Sequence, residues 1–519
     1  MRRPLAAAPA VLLAGALLIA GCSSPPGHPA ATASPSAAAS GAGSVAGGAG
    51  ARPATIAAYD AQKLTWRPCG TGFQCARLLV PFDYQRPGWR RFSLPVTKLP
   101  ASDPARRIGS LVINPGGPGA SGVRFVQQAA TSIPSAVRAR FDLVGFDPRG
   151  VGGSVPAIHC LTGPQLDRYF ATNDDPVTKT QLATVVAQAK LFASGCERHS
   201  GGLLPYVGTR NAARDMDVLR AALGGAKLTY YGASYGTYLG AWYAQLFPSH
   251  VRALVLDGAV NPDEPAFSMS TIQAQGFEVA LRSFTANCVR LPACPLGHGT
   301  VSAGIARLQR LLTQTTSKPL TSQIAGQPAN GAMLLGGVSA ALYSKVLWQY
   351  LRTGLANAFA GNGTLMVALA DGLMERGPTG KYTNLADAFT AVSCIDRPWP
   401  RSLPAWSSAA AAAAKTAPQF GAANIWGSLP CAYWPVPAAA PMRLRAAGAP
   451  PILVVGTTRD PATPFRSAKA LARDLESGVL LGRNGDGHTA YLTGNSCVDT
   501  AVDRYLVGLA TPRNGMICP

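Results

Sequence analysis

The 519-residue chain is 47% hydrophobic and only 14% charged, ample for a large core but too long for one compact unit without an insertion. Its 46 Lys and Arg outnumber 25 Asp and Glu, yet the cations are dispersed in runs of no more than two, with no recognition motif, which argues against a nucleic-acid partner. The formal charge of +21 is read instead as attraction to an anionic envelope surface, with solubility a sufficient alternative.

Met1-Arg2-Arg3 is a short cationic start, and Pro4 to Ala20 is apolar or small throughout. The run closes on Ile19-Ala20-Gly21-Cys22, which looks like a bacterial lipobox: a signal peptide over 1–21, with Cys22 the acylated new N-terminus. An ordinary secretory signal with an incidental cysteine is the alternative. No later apolar stretch is long enough to span a bilayer, so the exported chain is expected to meet the membrane only through its lipid, on the outer side, or to be shed from it. Residues 22–55 are Ala, Gly, Ser and Pro with almost no charge, the composition of a flexible tether.

Leu111-Val112-Ile113 reads as a buried strand that breaks at Asn114-Pro115-Gly116-Gly117-Pro118-Gly119. Phe141 to Phe146 is a second strand, ending at Asp147-Pro148-Arg149-Gly150. Thr209 to Leu223 carries helical periodicity, stopped by Gly224-Gly225. Leu228 to Tyr231 is strand-like and leads through a glycine-serine turn into a helix ending near Phe247. Val251 to Leu256 is the next strand. From Asn261 to Arg445 long Ala/Leu-rich helical stretches replace the strands. The sheet pattern resumes at Pro451 to Gly456, followed by a helix over Ser467 to Leu475, a strand over Gly478 to Gly482 and a C-terminal helix. This order predicts an α/β fold with a mostly parallel, doubly wound sheet. The core comes in two parts, 56–260 and 446–519, and residues 261–445 form a helical cap between them.

Gly232-Ala233-Ser234-Tyr235-Gly236 fits G-x-S-x-G between a strand and a helix, the setting that exposes a nucleophilic serine on a strained turn. The helix N-terminus then favours developing negative charge. A serine needs a base. His28 lies in the tether, His159 and His199 flank cysteines, and His298 lies among the cap cysteines. His250 precedes a strand, on the opposite edge of the sheet from the elbow. His488 remains, in a loop following the last strand, where a fold of this kind places its base. The acid is expected between serine and histidine, just past a strand. Asp460 meets that order, with Asp257 its rival. Glycines after an early strand let a backbone N–H reach a substrate carbonyl, so Gly117 is expected to form an oxyanion hole with the N–H of Tyr235, Gly116 being second choice.

Beyond Cys22, ten cysteines remain, an even number that implies disulfides in an exported chain. Their spacing suggests Cys69–Cys75, Cys160–Cys196, Cys288–Cys294, Cys394–Cys431 and Cys497–Cys518. No zinc-like spacing and no HExxH occurs, so no metal or other cofactor is expected.

These motifs together resemble the prolyl-aminopeptidase branch of the α/β-hydrolases, and more closely the secreted actinobacterial tripeptidyl aminopeptidases. The likeness includes Trp66-x-x-Cys69, Gln74-Cys75 leading into Val80 to Tyr84, Ser393-Cys394-Ile395-Asp396 and the Gly456 to Pro464 segment. The first glycine turn has Pro115 where the prolyl-aminopeptidase form has His. The resemblance implies removal of short peptides, tripeptides above all, from free N-termini by a serine peptidase. Such an enzyme must hold the substrate's ammonium, for which Asp396 and Glu264 are the candidate carboxylates. A carboxylesterase or lipase would use the same catalytic parts, and a non-catalytic envelope-binding lipoprotein would keep only the fold. Oligomeric state is not readable from the sequence.

Overall fold

A computed structural model describes residues 53–519. Cys22, the expected signal peptide and nearly all of the tether lie outside the described residues.

Ten strands form one sheet: β1 (Arg67–Pro68), β2 (Gln74–Pro81), β3 (Arg91–Leu99), β4 (Gly109–Asn114), β5 (Phe141–Phe146), β6 (Leu228–Ala233), β7 (Val251–Asp257), β8 (Ile452–Arg459), β9 (Gly478–Asp486) and β10 (Met516–Cys518). Their spatial order is β1-β2-β3-β5-β4-β6-β7-β8-β9-β10. β1 to β3 form an antiparallel ribbon joined antiparallel to β5, and every pairing from β5 onward is parallel. A parallel sheet covered on both faces needs continuous apolar strands, and β5 and β6 are buried at every residue. Alternation along the strands divides the core. Val112, Val144 and Leu254 pack on one face with Met216 and Leu239. Leu111, Leu143 and Val255 pack on the other with Val126, Val502 and Leu506. This is the α/β-hydrolase fold.

Between β7 and β8 the described chain forms eight α-helices and no strand. They have an apolar centre of their own, in which Phe277, Leu281 and Phe284 meet Met333, Leu334 and Trp348. The helix Lys179–Ser200, which precedes β6 in the chain, packs Val185 and Ala189 against Trp406 and Ile425 of this helical region. Ten cysteines pair as Cys69–Cys75, Cys160–Cys196, Cys288–Cys294, Cys394–Cys431 and Cys497–Cys518. Five disulfides are the mark of a chain folded in an oxidising compartment. No helix among the described residues is long and apolar enough to cross a membrane.

Two expectations about placement need correction. β9 is not the last strand, because β10 pairs parallel to it at the sheet edge. Three residues are too few to show a strand period, and the Cys497–Cys518 bridge helps to fix them there. His250 is not on a far edge of the sheet either: it precedes β7, the immediate neighbour of β6. What separates it from Ser234 is the length of the strands, since parallel β6 and β7 put their starts at one end and the elbow at the other. Its Nδ1 contacts Asp217 at 2.8 Å.

Candidate active site

The turn after β6 is forced by crowding. Ser234 has φ 56° and ψ −124°, a conformation that costs an L-residue energy and survives only where the surroundings fix it. A Cβ on Gly232 would stand 2.4 Å from the Gly236 carbonyl oxygen, and one on Gly236 would stand 2.9 Å from that of Asn114. Only glycine at both positions lets strand, turn and helix Tyr235–Leu246 pack this closely. The Ser234 N–H donates to the Asp257 carbonyl at 2.8 Å, and the Thr237 hydroxyl donates to the Ser234 carbonyl at 2.6 Å.

Asp460 follows β8 in a tight turn and is 1% exposed. Its Oδ1 accepts from the backbone N–H groups of Ala462 (2.9 Å) and Thr463 (2.8 Å), and its Oδ2 from the Thr463 hydroxyl (3.0 Å). His488 Nδ1 lies 2.9 and 3.0 Å from the two carboxylate oxygens. Donation from Nδ1 leaves Nε2 as the basic nitrogen, and Nε2 is buried without a hydrogen-bond partner among the described residues. Burial opposes protonation of this imidazole, but the Asp460 carboxylate outweighs it, with a smaller push from Asp257, and holds the pKa above the usual histidine value.

Asp257 does not bond the imidazole. Its fully buried carboxylate accepts from the N–H groups of Ala490 and Tyr491 and from the Tyr231 hydroxyl, and burial pushes its pKa up to about 6. Asp257 is therefore a brace. Its carbonyl holds the Ser234 turn while its carboxylate holds the chain just past His488.

Opposite the turn, Gly117 lines a cleft together with Ser234 and Tyr235. The Gly116 N–H is already donated to Asn114 Oδ1 at 3.0 Å. Gly117 N–H has no acceptor among the described residues, and Tyr235 N–H opens a helix, where the first amides lack intrahelical acceptors. Two free donors thus lie beside the serine. Gly116 is required sterically, since its φ is 99° and a Cβ there would lie 2.5 Å from the Ala233 carbonyl oxygen.

Asp396 and Glu264 both line this cleft. Asp396 accepts from the Thr209 N–H at 2.8 Å and from the Thr209 hydroxyl, which in turn lies 2.5 Å from the Tyr235 hydroxyl. Burial raises the Asp396 pKa to about 6 against those hydrogen bonds. The Glu264 carboxylate accepts from Ser268 and from Asn261 Nδ2.

Three contributors escaped the sequence reading. The Thr463 hydroxyl lies 3.2 Å from His488 Nδ1 while bonding Asp460, and its only sequence signal is its place in the Asp460 turn. Tyr343, from the helical region, accepts the His488 backbone N–H at 2.8 Å and sets its ring 5.3 Å from the imidazole at 89°. Arg397 lines the cleft immediately after Asp396. No cluster of three or more metal-ligating side chains occurs among the described residues.

A family model described as TAP-like protein matches residues 417–518, the segment that carries both Asp460 and His488. The chain is 35% identical to a tripeptidyl aminopeptidase of Streptomyces lividans over 490 residues, covering 90% of this chain and 89% of that one. The chain belongs to the tripeptidyl aminopeptidase family of serine hydrolases. Other relatives of this tripeptidyl aminopeptidase-family chain carry different names. The serine protease Hip1 of Mycobacterium tuberculosis is 38% identical over 479 residues, 88% of this chain and 91% of its own. Carboxylesterase B of the same organism is 38% identical over 457 residues, 86% of each chain. Membership in the tripeptidyl aminopeptidase family makes the protein a serine hydrolase.

Proposed function

We propose that this protein is a serine peptidase that releases short peptides, tripeptides in particular, from free N-termini through an acyl-enzyme on Ser234. The observation that carries the reading is the double hold of Asp257, which ties the Ser234 turn and the His488 loop to one buried residue while Asp460 is the carboxylate that takes Nδ1. His488 Nε2 accepts the Ser234 proton as Oγ attacks the scissile carbonyl. The N–H groups of Gly117 and Tyr235 stabilise the resulting oxyanion, and His488 then protonates the leaving amine. Water then attacks the acyl carbon as its proton passes to the same nitrogen, and collapse of the second tetrahedral intermediate breaks the bond to Oγ, returns that proton to Ser234 and frees the peptide. Asp460 keeps the imidazole in the working tautomer and stabilises the imidazolium.

Asp396 and Glu264 are the groups in the cleft that can hold an ammonium, and relatives named serine protease and tripeptidyl aminopeptidase support peptide substrates. The chain organisation that goes with this role is a signal over 1–21, a Cys22-anchored tether over 22–55, a core in parts 56–260 and 446–519, and a cap over 261–445 that closes one end of the cleft. A second reading, carboxylesterase, is favoured by the relative named Carboxylesterase B and by apolar lining from Val260, Met269, Ile272 and Phe389. Turnover of a free-amine tripeptide p-nitroanilide, its N-acetylated twin and a short-chain ester separates the two, with Ser234→Ala as the control. Cleavage of the free tripeptide but not the acetylated one is expected. Ester turnover without amide cleavage would overturn the peptidase reading.

A further inference from the structure

Among the described residues, one cation lines the cleft beside Ser234. Arg397 is 9% exposed, so its guanidinium has given up most of its hydration. Among the described residues no carboxylate lies within salt-bridge distance of it, although the other two buried arginines are paired, Arg149 with Asp215 and Arg376 with Asp167 and Asp371. The hydrogen bonds of Arg397 go to carbonyl oxygens and are long: Nε to Glu264 at 3.3 Å and Nη2 to Asn261 at 3.4 Å. The guanidinium carbon stands 4.7 Å from the centre of the Tyr238 ring, another cleft residue. Nη1 donates to nothing among the described residues and is not sealed from solvent.

The neighbouring carboxylates do not neutralise this charge through a bond. Asp396 is engaged with Thr209, and Glu264 with Asn261 and Ser268. A guanidinium offers five N–H donors in a planar fork that fits a carboxylate, and a desolvated one without an anion is costly to keep. The cleft therefore presents two acids already held in place and one cation whose preferred partner is missing.

We propose that Arg397 is a specificity-determining residue that receives a carboxylate of the substrate. This rests on the peptidase reading for the identity of the substrate. The carboxylate has two possible sources in a short peptide, an Asp or Glu side chain within the released segment or the free C-terminus of a small substrate.

The test compares kcat/KM ratios within one enzyme preparation, so that any loss of folded protein cancels. The first arm sets tripeptide p-nitroanilides with Asp or Glu against their Asn or Gln isosteres at each of the three positions. The second sets a neutral tetrapeptide against its C-terminal amide. The wild type is expected to favour the carboxylate form at least about tenfold in one arm, which identifies the source. Arg397→Met brings that ratio near one, and Arg397→Lys retains part of it because the charge remains without the fork. A residue that only anchored the Asn261–Glu264 segment would lower both members of a pair alike and leave the ratio standing. Wild-type ratios near one in both arms, or a ratio that survives Arg397→Met, would overturn the inference. Failure of the peptidase reading shows separately, as no cleavage of any peptide. In that case p-nitrophenyl hemisuccinate against p-nitrophenyl butyrate puts the same question to Arg397 with the same two outcomes.

Discussion

Asp460 and Asp257 both reach the His488 loop, and replacing each by asparagine separates their roles. Asp460→Asn keeps the shape and removes the charge. Every partner of the Asp460 carboxylate is a donor: the N–H groups of Ala462, Thr463 and Thr489, the Thr463 hydroxyl and His488 Nδ1–H. Against the backbone N–H groups an amide NH2 finds no acceptor, so it must face the Thr463 hydroxyl or the imidazole, and His488 Nδ1 lies within reach of both oxygens it replaces. Nδ1 then becomes the acceptor and the proton moves to Nε2, the nitrogen that must be empty to take the serine's proton. Loss of this tautomer costs about 10⁴-fold in kcat, or about 5.5 kcal/mol on the barrier. Asp257→Asn instead leaves one of the Ala490, Tyr491 and Tyr231 donors without an acceptor, at about 1–3 kcal/mol of stability. At about 2.1 cal/mol/K per residue over roughly 460 residues, that lowers Tm by about 1–3 °C. Its kcat should stay within about tenfold of wild type. The assay is kcat on a tripeptide p-nitroanilide with calorimetric Tm on the same preparations. An Asp257→Asn enzyme crippled by about 10⁴ beside a near-normal Asp460→Asn would refute the assignment.

The pH profile of kcat/KM should fall on the acid side with a midpoint above the usual histidine value, because His488 must be neutral to act as base and Asp460 resists its deprotonation. KM for a free-amine substrate should rise as pH falls through about 6, where Asp396 takes up a proton, and Asp396→Asn should remove that dependence; a wild-type KM flat across this range would exclude Asp396 as the anchor. Asp387 is buried, with one oxygen unpartnered and its pKa pushed up to about 7 by burial. Because its folded value lies above its unfolded value, it contributes stability at low pH that is lost as pH rises from about 4 to about 7. Urea melts of Asp387→Asn should therefore gain about 1–4 kcal/mol on wild type between about pH 4 and about pH 8; a constant difference would contradict the sign. Removing the Cys394–Cys431 bridge, which spans 37 residues, should cost about 4 kcal/mol by loop entropy, read as a lower denaturation midpoint, and an unchanged midpoint would show that the unfolded chain is already restrained there.

The serine turn, the histidine and its acid were legible because each is a local necessity. Gly232 is demanded by a clash with Gly236 inside the Ser234 turn, Gly236 marks the close approach of that turn to the end of β4, and Asp460 and His488 each follow a strand of the same sheet. The parallel part of the sheet was legible from apolar runs that only a two-sided sheet can bury. What stayed hidden depends on partners distant in sequence. Nothing around Asp257 announces that it braces Ala490 and Tyr491, since before Gly258 it reads as a turn residue. The helix Lys179–Ser200 did have a signal, the capping box of Thr178 and Gln181, but its packing against Trp406 could not be read from it. Tyr343 and Arg397 had none, because an aromatic and a cation in a helical stretch ordinarily face a core or solvent.

The carbonyl of Tyr343 and its perpendicular ring are the helical region's grip on His488, and Ser283 of the helix Ala266–Cys288 adds a hydrogen bond to Asp486 two residues earlier. The general base is thus completed by a part of the chain that neither carries it nor lies beside it in sequence. A motion that lifted the Tyr343 turn off the core would take that grip away from the base and leave Asp460 to hold it. The same contact ties the site to the packing of the helical region: unless residues 331–343 are docked, the histidine lacks one of the supports that seat it beside Asp460.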